Sequence, residues 1–375
     1  MHTVSLHYQI HRPGDSPAHL PPGRVANPLL ALLQAVAQAG SISAAARSLG
    51  LSYRHVWGEL KRWELELGQS LLLWDKGQAA RLSEFGSKLL FAERQAQARL
   101  APQMEALQAE LERSFALAFQ PSAQVLSLYA SHDEALGRLR SHCAQTAQLH
   151  LDIQFTGSVD AIRALNEGRC TLAGFHTLLP SPAGSTAQKT YQPLLQPGRH
   201  KIIGFAQRAQ GLIVAAGNPL RLQSLADIAQ RSARYINRPL GTGTRLILDE
   251  LLAQQRIKPS HLLGYRRSEP SHTAVAQAIA NGLADAGLGI AAAAAAQGLG
   301  FVPLATERYD LVCLKSALQE PAIQSLLKVL RSSAWRAQCN AIAGYEALQS
   351  GDVLSLSQIL PWWEFDTKKP FKPMK

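Results

Sequence analysis

The chain has 375 residues, 46% of them hydrophobic, with a formal net charge of +11. That length points to two or three domains, and that hydrophobic content excludes global disorder. No apolar run reaches the roughly 18 residues of a membrane span, and Cys143, Cys170, Cys313 and Cys339 are too dispersed for a disulfide framework or a zinc knuckle.

The first residues lack the basic-then-apolar pattern of a secretory signal, so a cytoplasmic protein with no membrane partner is expected. Val4, Leu6, Tyr8 and Ile10 alternate as in a strand. Pro13–Pro28, with five prolines and two glycines, reads as loop. Residues 1–24 form an N-terminal extension, and from Leu29 to about Phe119 the pattern is mostly helical.

Within it, Ser41–Glu64 (SISAAARSLGLSYRHVWGELKRWE) has the ingredients of a helix-turn-helix. Small residues let two helices approach closely, a glycine serves the tight turn, and a serine caps the second helix. Ala44–Leu49 is the expected first helix, Gly50 the turn and Ser52 the N-cap. Val56, Leu60, Trp63 and Leu67 recur at helical spacing and should bury one face. Ser52, His55, Glu59 and Arg62 form one outward stripe, and Arg54, Gly58 and Lys61 another. Gly58 is costly inside a helix, which calls for close approach to DNA or to a neighbouring helix.

Charge sharpens this locally. Residues 1–120 carry 12 Lys/Arg against 10 Asp/Glu, so the N-terminal part is not strongly basic as a whole. Ser41–Arg62, however, has four bases (Arg47, Arg54, Lys61, Arg62) against Glu59 alone. The apolar residues flanking Asp75-Lys76-Gly77 read as strand, turn and strand, a wing on which Lys76 or Arg81 can touch phosphates. A generic helical hairpin with solvated bases is the ordinary alternative. Cap, glycine, small residues, buried stripe and wing together favour double-stranded DNA as the partner of residues 25–83.

GSISAAARSLGLSYRHVW (Gly40–Trp57) resembles the winged helix-turn-helix of bacterial molybdate-responsive repressors and is close to that of LysR-type regulators. LSEFG (Leu82–Gly86) closes the wing in the same way. The resemblance covers about residues 25–120. It implies that Ser52, Tyr53, Arg54 and His55 start the recognition helix.

Ser83 is placed to cap a helix over 84–120. Leu100, Met104, Leu107, Leu111 and Phe115 approximate a heptad seam, and Pro102 should kink the helix or mark its restart. Such a helix either packs on its own domain or dimerises, as the LysR-type architecture implies. A homodimer or homotetramer would pair recognition helices on a roughly palindromic operator.

Beyond Pro121 the texture changes. Short apolar strands (VLSLYAS, LHLDIQFTGS, CTLAGFH, GLIVAAGNP, ARYINR, DAGLGI, RYDLVCLK) alternate with helical stretches, which predicts an α/β domain over 121–365 with a largely parallel sheet. Residues 366–375 are a basic tail. Polar motifs recur where strand gives way to helix: ASHDEAL (Ala130–Leu136), FTGSVDAI (Phe155–Ile162), NRPLGTGTRLILDELL (Asn237–Leu252) and EPSHTAVAQAI (Glu269–Ile279). Helix starts leave free N–H groups with partial positive charge, and in an open α/β fold they converge on one crevice, which suits a small anion. GTGTR alone is equally an ordinary capped turn, although Arg245 in a first helical turn opposes the dipole and invites an anion. His132, His176 and His272 are too dispersed to argue for a metal, and capping or hydrogen bonding comes first. There is no nucleophile–base pair and no H-E-x-x-H, so no enzyme and no cofactor are expected.

This half is similar to the periplasmic-binding-protein-like domains fused to helix-turn-helix regulators, in which two α/β lobes close over a ligand. NRPLGTGTRLILDELL, SHTAVAQAIANGLADAGLGI and ERYDLVCLK carry the match. It implies Ser131, His132, Ser158, Thr242, Gly243, Thr244, Arg245, Thr273 and Tyr309 as ligand residues, Tyr309 on ERYDLV alone. The expected effector is a small oxyanion, molybdate or tungstate, with formate, another small carboxylate or a pterin-type metabolite as alternatives. The expected whole is a winged helix-turn-helix, a long linker helix and a two-lobed α/β sensor.

Overall fold

The computed structural model describes residues 27–73, 80–119 and 123–363, and the chain divides into two compact units, Met1–Met104 and Glu105–Lys375. The strand expected at Val4–Ile10, the tip of the wing with Lys76, and the basic tail lie outside the described residues.

In the first unit α1 (Pro28–Ala39) starts where its proline tolerates a missing N–H, and Asn27 caps it. Helix α2 (Ile42–Ser48) begins two residues before the expected Ala44, because Ser41 accepts the Ala44 N–H at 3.1 Å. Gly50 takes φ +66°, and Ser52 caps α3 (Tyr53–Leu67) by accepting the His55 N–H at 3.1 Å. Leu32, Leu33 and Val36 of α1, Ala45 and Ala46 of α2, and Val56 and Leu60 of α3 form one core. Trp63 and Leu67 pack at its edge. Strands β1 (Leu72–Leu73) and β2 (Arg81–Leu82) pair antiparallel as the base of the wing. Ser83 caps α4 (Glu84–Phe119), accepting the Gly86 N–H at 2.9 Å. The helix continues through Pro102 rather than restarting there, and the boundary between the two units falls inside it. Among the described residues no single helix is long and apolar enough to cross a membrane; α1 and α2 together pass on length and composition, but they bend by 116° and their apolar residues build the core.

The second unit runs β3 (Gln124–Ala130), α5 (Glu134–Ala147), β4 (Leu149–Phe155), α6 (Ser158–Asn166), β5 (Leu172–Leu179), α7 (Thr186–Tyr191), β6 (His200–Val214), α8 (Leu225–Gln230), β7 (Tyr235–Ile236), α9 (Gly243–Gln254), α10 (His272–Ala280), β8 (Ala286–Ile290), α11 (Ala291–Ala295), β9 (Gly300–Leu314), α12 (Pro321–Arg331), α13 (Ser333–Asn340), β10 (Tyr345–Glu346), β11 (Val353–Leu354) and α14 (Leu356–Ile359). One sheet takes the order β4-β3-β5-β9-β6-β8-β7, with β10 and β11 on β6. It is mixed rather than largely parallel. β4-β3-β5 and β7-β8 are parallel patches, while β6 and β9 run antiparallel to each other, β9 also to β5 and β6 also to β8.

The cause is the length of β6 and β9, 15 residues each. β9 pairs β5 through its C-terminal half, and β6 pairs β8 through its own. The two long strands therefore pass from one α/β half to the other. Alternate side chains feed opposite faces: Ile203, Leu311 and Cys313 enter one core, Ile202, Phe175 and Val312 another. The second half closes on Leu212 and Val214 with α8 and α9.

Candidate functional site

Helix α3 buries Val56 and Leu60 and leaves Ser52, Tyr53, Arg54, His55, Trp57, Lys61 and Arg62 exposed. Lys61 and Arg62 are already engaged, with Glu64 at 2.7 Å and Glu59 at 2.6 Å. Glu64 also accepts the N–H groups of Leu71 and Leu72, so it ties α3 to the wing. Arg54 has no hydrogen bond or ion pair among the described residues. Arg81 lies on the exposed side of β2.

A β-carbon at Gly58 would meet nothing within 4 Å, so no neighbouring helix explains this glycine, and that alternative is corrected. Gly58→Ala is expected to stabilise the free protein by about 0.5–1 kcal/mol, as for any exposed helical glycine. Urea unfolding checks this. If the glycine admits a DNA backbone, operator affinity should fall in the same variant.

The second site builds up from the crossing of the long strands. Arg208 of β6 lies opposite Glu307 of β9, and His176 of β5 opposite Tyr309. Arg208 donates through Nε to Glu307, through Nη1 to Asp133 and, at 2.7 Å, to the Tyr345 hydroxyl, and its Nη2 lies 3.3 Å from His176 Nδ1. Asp133 is also the cap of α5, accepting the N–H groups of Ala135 and Leu136. The His176 ring stacks on Tyr309 with centroids 4.0 Å apart.

Three more helix starts come to this crossing. A β-carbon at Gly243 would lie 2.4–2.6 Å from the His176 ring, so only glycine lets α9 begin there. Thr244 Oγ1 is 3.3 Å from His272 Nε2, which joins α9 to α10. At the head of α6, a β-carbon on Gly157 would lie 2.7 Å from the Gly241 carbonyl oxygen.

Arg238, in the turn after β7, is 2% exposed. It has a carbonyl partner, Glu269 O at 3.4 Å, no carboxylate in contact with it among the described residues, and an Nε without a partner. Burial, with Arg208 adding to it, pulls its guanidinium down to about 9. An anion in contact would reverse that penalty.

The predicted ligand residues divide accordingly. Ser131 and Tyr309 are buried with unpartnered hydroxyls, Ser158 is buried at the first turn of α6, and Gly243 and Thr244 head α9. Thr273 is half-buried at the start of α10. Thr242 is a structural cap: its hydroxyl donates to Pro239 O at 2.8 Å and accepts the Arg245 N–H. Arg245 is satisfied within its own helix by Asp249 at 3.2 Å and lies over the Tyr265 ring at 4.1 Å, so the anion its position invites is Asp249. His132 meets Glu105 of α4 at 3.1 Å. The sequence reading missed Arg208, Arg238, Asp133, Glu307, Gln210 and Tyr345. Asp133, Arg238 and Glu307 lie inside the motifs ASHDEAL, NRPLGTGTRLILDELL and ERYDLVCLK, and buried charge is the signal that would have found them. No cluster of three or more His, Cys, Asp or Glu suited to a metal occurs among the described residues.

Electrostatics follow from burial. His176 and His272 are held well below the ordinary histidine range, by burial first and then by Arg208 and Arg238. Burial opposes the charge of Arg208, yet Glu307, Tyr345 and Asp133 hold it well above the usual arginine range. Burial raises Glu307 against the pull of Arg208 and Gln210. Neutral histidines in the fold must take up protons on unfolding. Stability is therefore full above about pH 6.5 and falls as the pH drops below it, by up to ~1.4 kcal/mol per unit for each group. His200, also lowered by burial, adds to the slope. His272→Gln is expected to flatten the fall between about pH 6.5 and 5, as read by thermal melts across that range.

Two family models match the chain: the PBP superfamily domain over residues 140–331, and the bacterial regulatory helix-turn-helix protein of the LysR family over residues 28–87. YvgK of Bacillus subtilis is 28% identical over 235 residues, 63% of this chain and 75% of that protein. A protein encoded in the 5′ region of a 2Fe-2S ferredoxin gene of Clostridium pasteurianum is 30% identical over 111 residues, 29% of this chain and 98% of its own. The solved structure of CbnR, a LysR family transcriptional regulator, aligns with a TM-score of 0.40 at 20% identity, covering 81% of this chain and 99% of its own. The chain belongs to the PBP superfamily domain family and carries, ahead of that domain, a helix-turn-helix that matches the bacterial regulatory proteins of the LysR family.

Proposed function

We propose that the second unit senses a small anion held at the crossing of β6 and β9, with Arg238 as its main countercharge. The observation that carries this is a guanidinium buried without a carboxylate partner where several helix starts meet. Such a group costs stability unless an anion arrives. Ser131, Tyr309 and Thr244 supply hydroxyls, and the starts of α6, α9 and α10 supply N–H dipoles. Molybdate and tungstate suit such donors. A carboxylate is the second reading, favoured by the planar fork of a single arginine. A thermal-shift screen of the full chain with molybdate, tungstate, sulfate, phosphate and formate tests the class, since a bound ligand stabilises by mass action.

On the DNA side, α3 enters the major groove with Ser52, Tyr53, Arg54 and His55 at its leading end, and Lys61, Arg62, Lys76 and Arg81 contact the backbone. The chain forms a homodimer or homotetramer through α4, where Leu100, Leu107, Phe115 and Phe119 are exposed apolar residues. Leu107→Glu should shift the protein to monomers in sedimentation velocity. Signal leaves the anion site through the segment Ser131–Asp133: Asp133 grips Arg208, while His132 grips Glu105 of α4. A ligand acts only as far as it binds one arrangement better than the other.

A further inference from the structure

The crossing holds unsatisfied acceptors as well as donors. Glu307 Oε2 and Gln210 Oε1 are fully buried and receive no hydrogen bond among the described residues. They are held together, since Gln210 Nε2 donates to Glu307 Oε1 at 2.8 Å. Arg208 is already committed to Glu307 Oε1, Asp133 and Tyr345. Among the described residues, the unpartnered donors at the crossing are Ser131 Oγ, Ser158 Oγ, Tyr309 Oη and Arg238 Nε; His272 Nδ1 also lacks a partner and serves as donor or acceptor by tautomer.

A bare oxyanion such as molybdate offers acceptors only. It answers the hydroxyls and Arg238, leaves Glu307 and Gln210 unsatisfied, and brings more negative charge to the neighbourhood of a buried carboxylate. Resting on the reading of this crossing as an anion site, we propose that the effector is an organic acid that also carries hydrogen-bond donors. Its carboxylate lies on Arg238, and its O–H or N–H groups point to Glu307 Oε2 and Gln210 Oε1. A site built to hydrogen-bond such groups rejects an analogue that lacks them, because its buried acceptors are then stranded.

The test is calorimetry on the full-length protein with matched acids: glycolate against acetate and lactate against propionate, with molybdate as the donor-free oxyanion. In at least one pair the donor-bearing acid should bind about tenfold tighter or better. Gln210→Leu, which leaves the partners of Arg208 in place, removes one of the two acceptors and should cut that preference severalfold. A preference undiminished by Gln210→Leu overturns the proposal. So does molybdate or a donor-free acid binding as tightly as every donor-bearing one, the result expected if a proton on Glu307 already satisfies Gln210. Arg238→Met separates the two levels: if both members of a pair bind it as they bind the parent, the anion-site reading itself is wrong, whatever becomes of the preference.

Discussion

Arg238→Met is expected to abolish the response to effector and, at the same time, to raise the melting temperature of the ligand-free protein. The two effects share one cause. A guanidinium with a single carbonyl partner sits where it is 2% exposed, and burial has drawn it down to about 9. Replacing it by an apolar side chain of similar length removes a desolvated charge, and comparable replacements are neutral or stabilising by about 1–4 kcal/mol. We expect about 1–2 kcal/mol, a rise of roughly 2–8 °C for a unit of this size. With ligand present the order reverses. A hydrogen bond to a charged group contributes about 1.5–3 kcal/mol, so affinity should fall tenfold to a hundredfold and the ligand-induced shift should vanish. Arg238→Lys keeps the charge and loses the fork, so it should recover only part of the binding. Scanning calorimetry with and without ligand reads both signs. A Met variant less stable than the parent without ligand would show that Arg238 is held by the fold for its own sake.

Arg54→Ala should weaken operator binding by about 1–3 kcal/mol, the discrimination supplied by one bidentate arginine–guanine contact. Arg54 stands at the second position of α3, exposed and unpaired among the described residues. Lys61 and Arg62 are held by Glu64 and Glu59 on the same helix, and their removal should cost less and do so equally on every sequence. Fluorescence anisotropy with an operator selected from random duplexes, set against a scrambled duplex, separates the two behaviours. An Arg54→Ala protein that loses affinity equally for both duplexes would reduce Arg54 to a phosphate contact.

The first unit was legible because each of its devices is local. Ser41, Gly50, Ser52 and Ser83 cap or turn within a few residues, and Ala45 and Ala46 are buried where helix approach demands small side chains. The strand starts of the second unit were legible as well, but only half of each long strand was. GLIVAAGNP covers the end of β6 and RYDLVCLK the end of β9. The unread halves carry Arg208 and Gln210 on one strand, and Pro303 and Glu307 on the other. Buried charges break the apolar alternation by which a strand is recognised, and a proline argues against one. The residues that make the crossing chemically unusual are the same ones that hid its strands. Arg245 misled for the opposite reason: its place in the first turn of α9 invited an anion, and Asp249 four residues on supplies it. Neither Arg238's solitude nor Arg208's partners can be read from spacing, because Asp133, Glu307 and Tyr345 are far apart in the chain and meet only in three dimensions.

In the proposed site Arg238 holds a negatively charged small molecule at the crossing of β6 and β9. The most direct measurement is to purify the protein and its Arg238→Met variant from the same bacterial cells, denature both, and identify the released small molecules by mass spectrometry. An acidic compound is expected in near-equal molar amount from the parent and none from the variant. The same compound recovered equally from both proteins, or a released species with no negative charge, would contradict the proposed site.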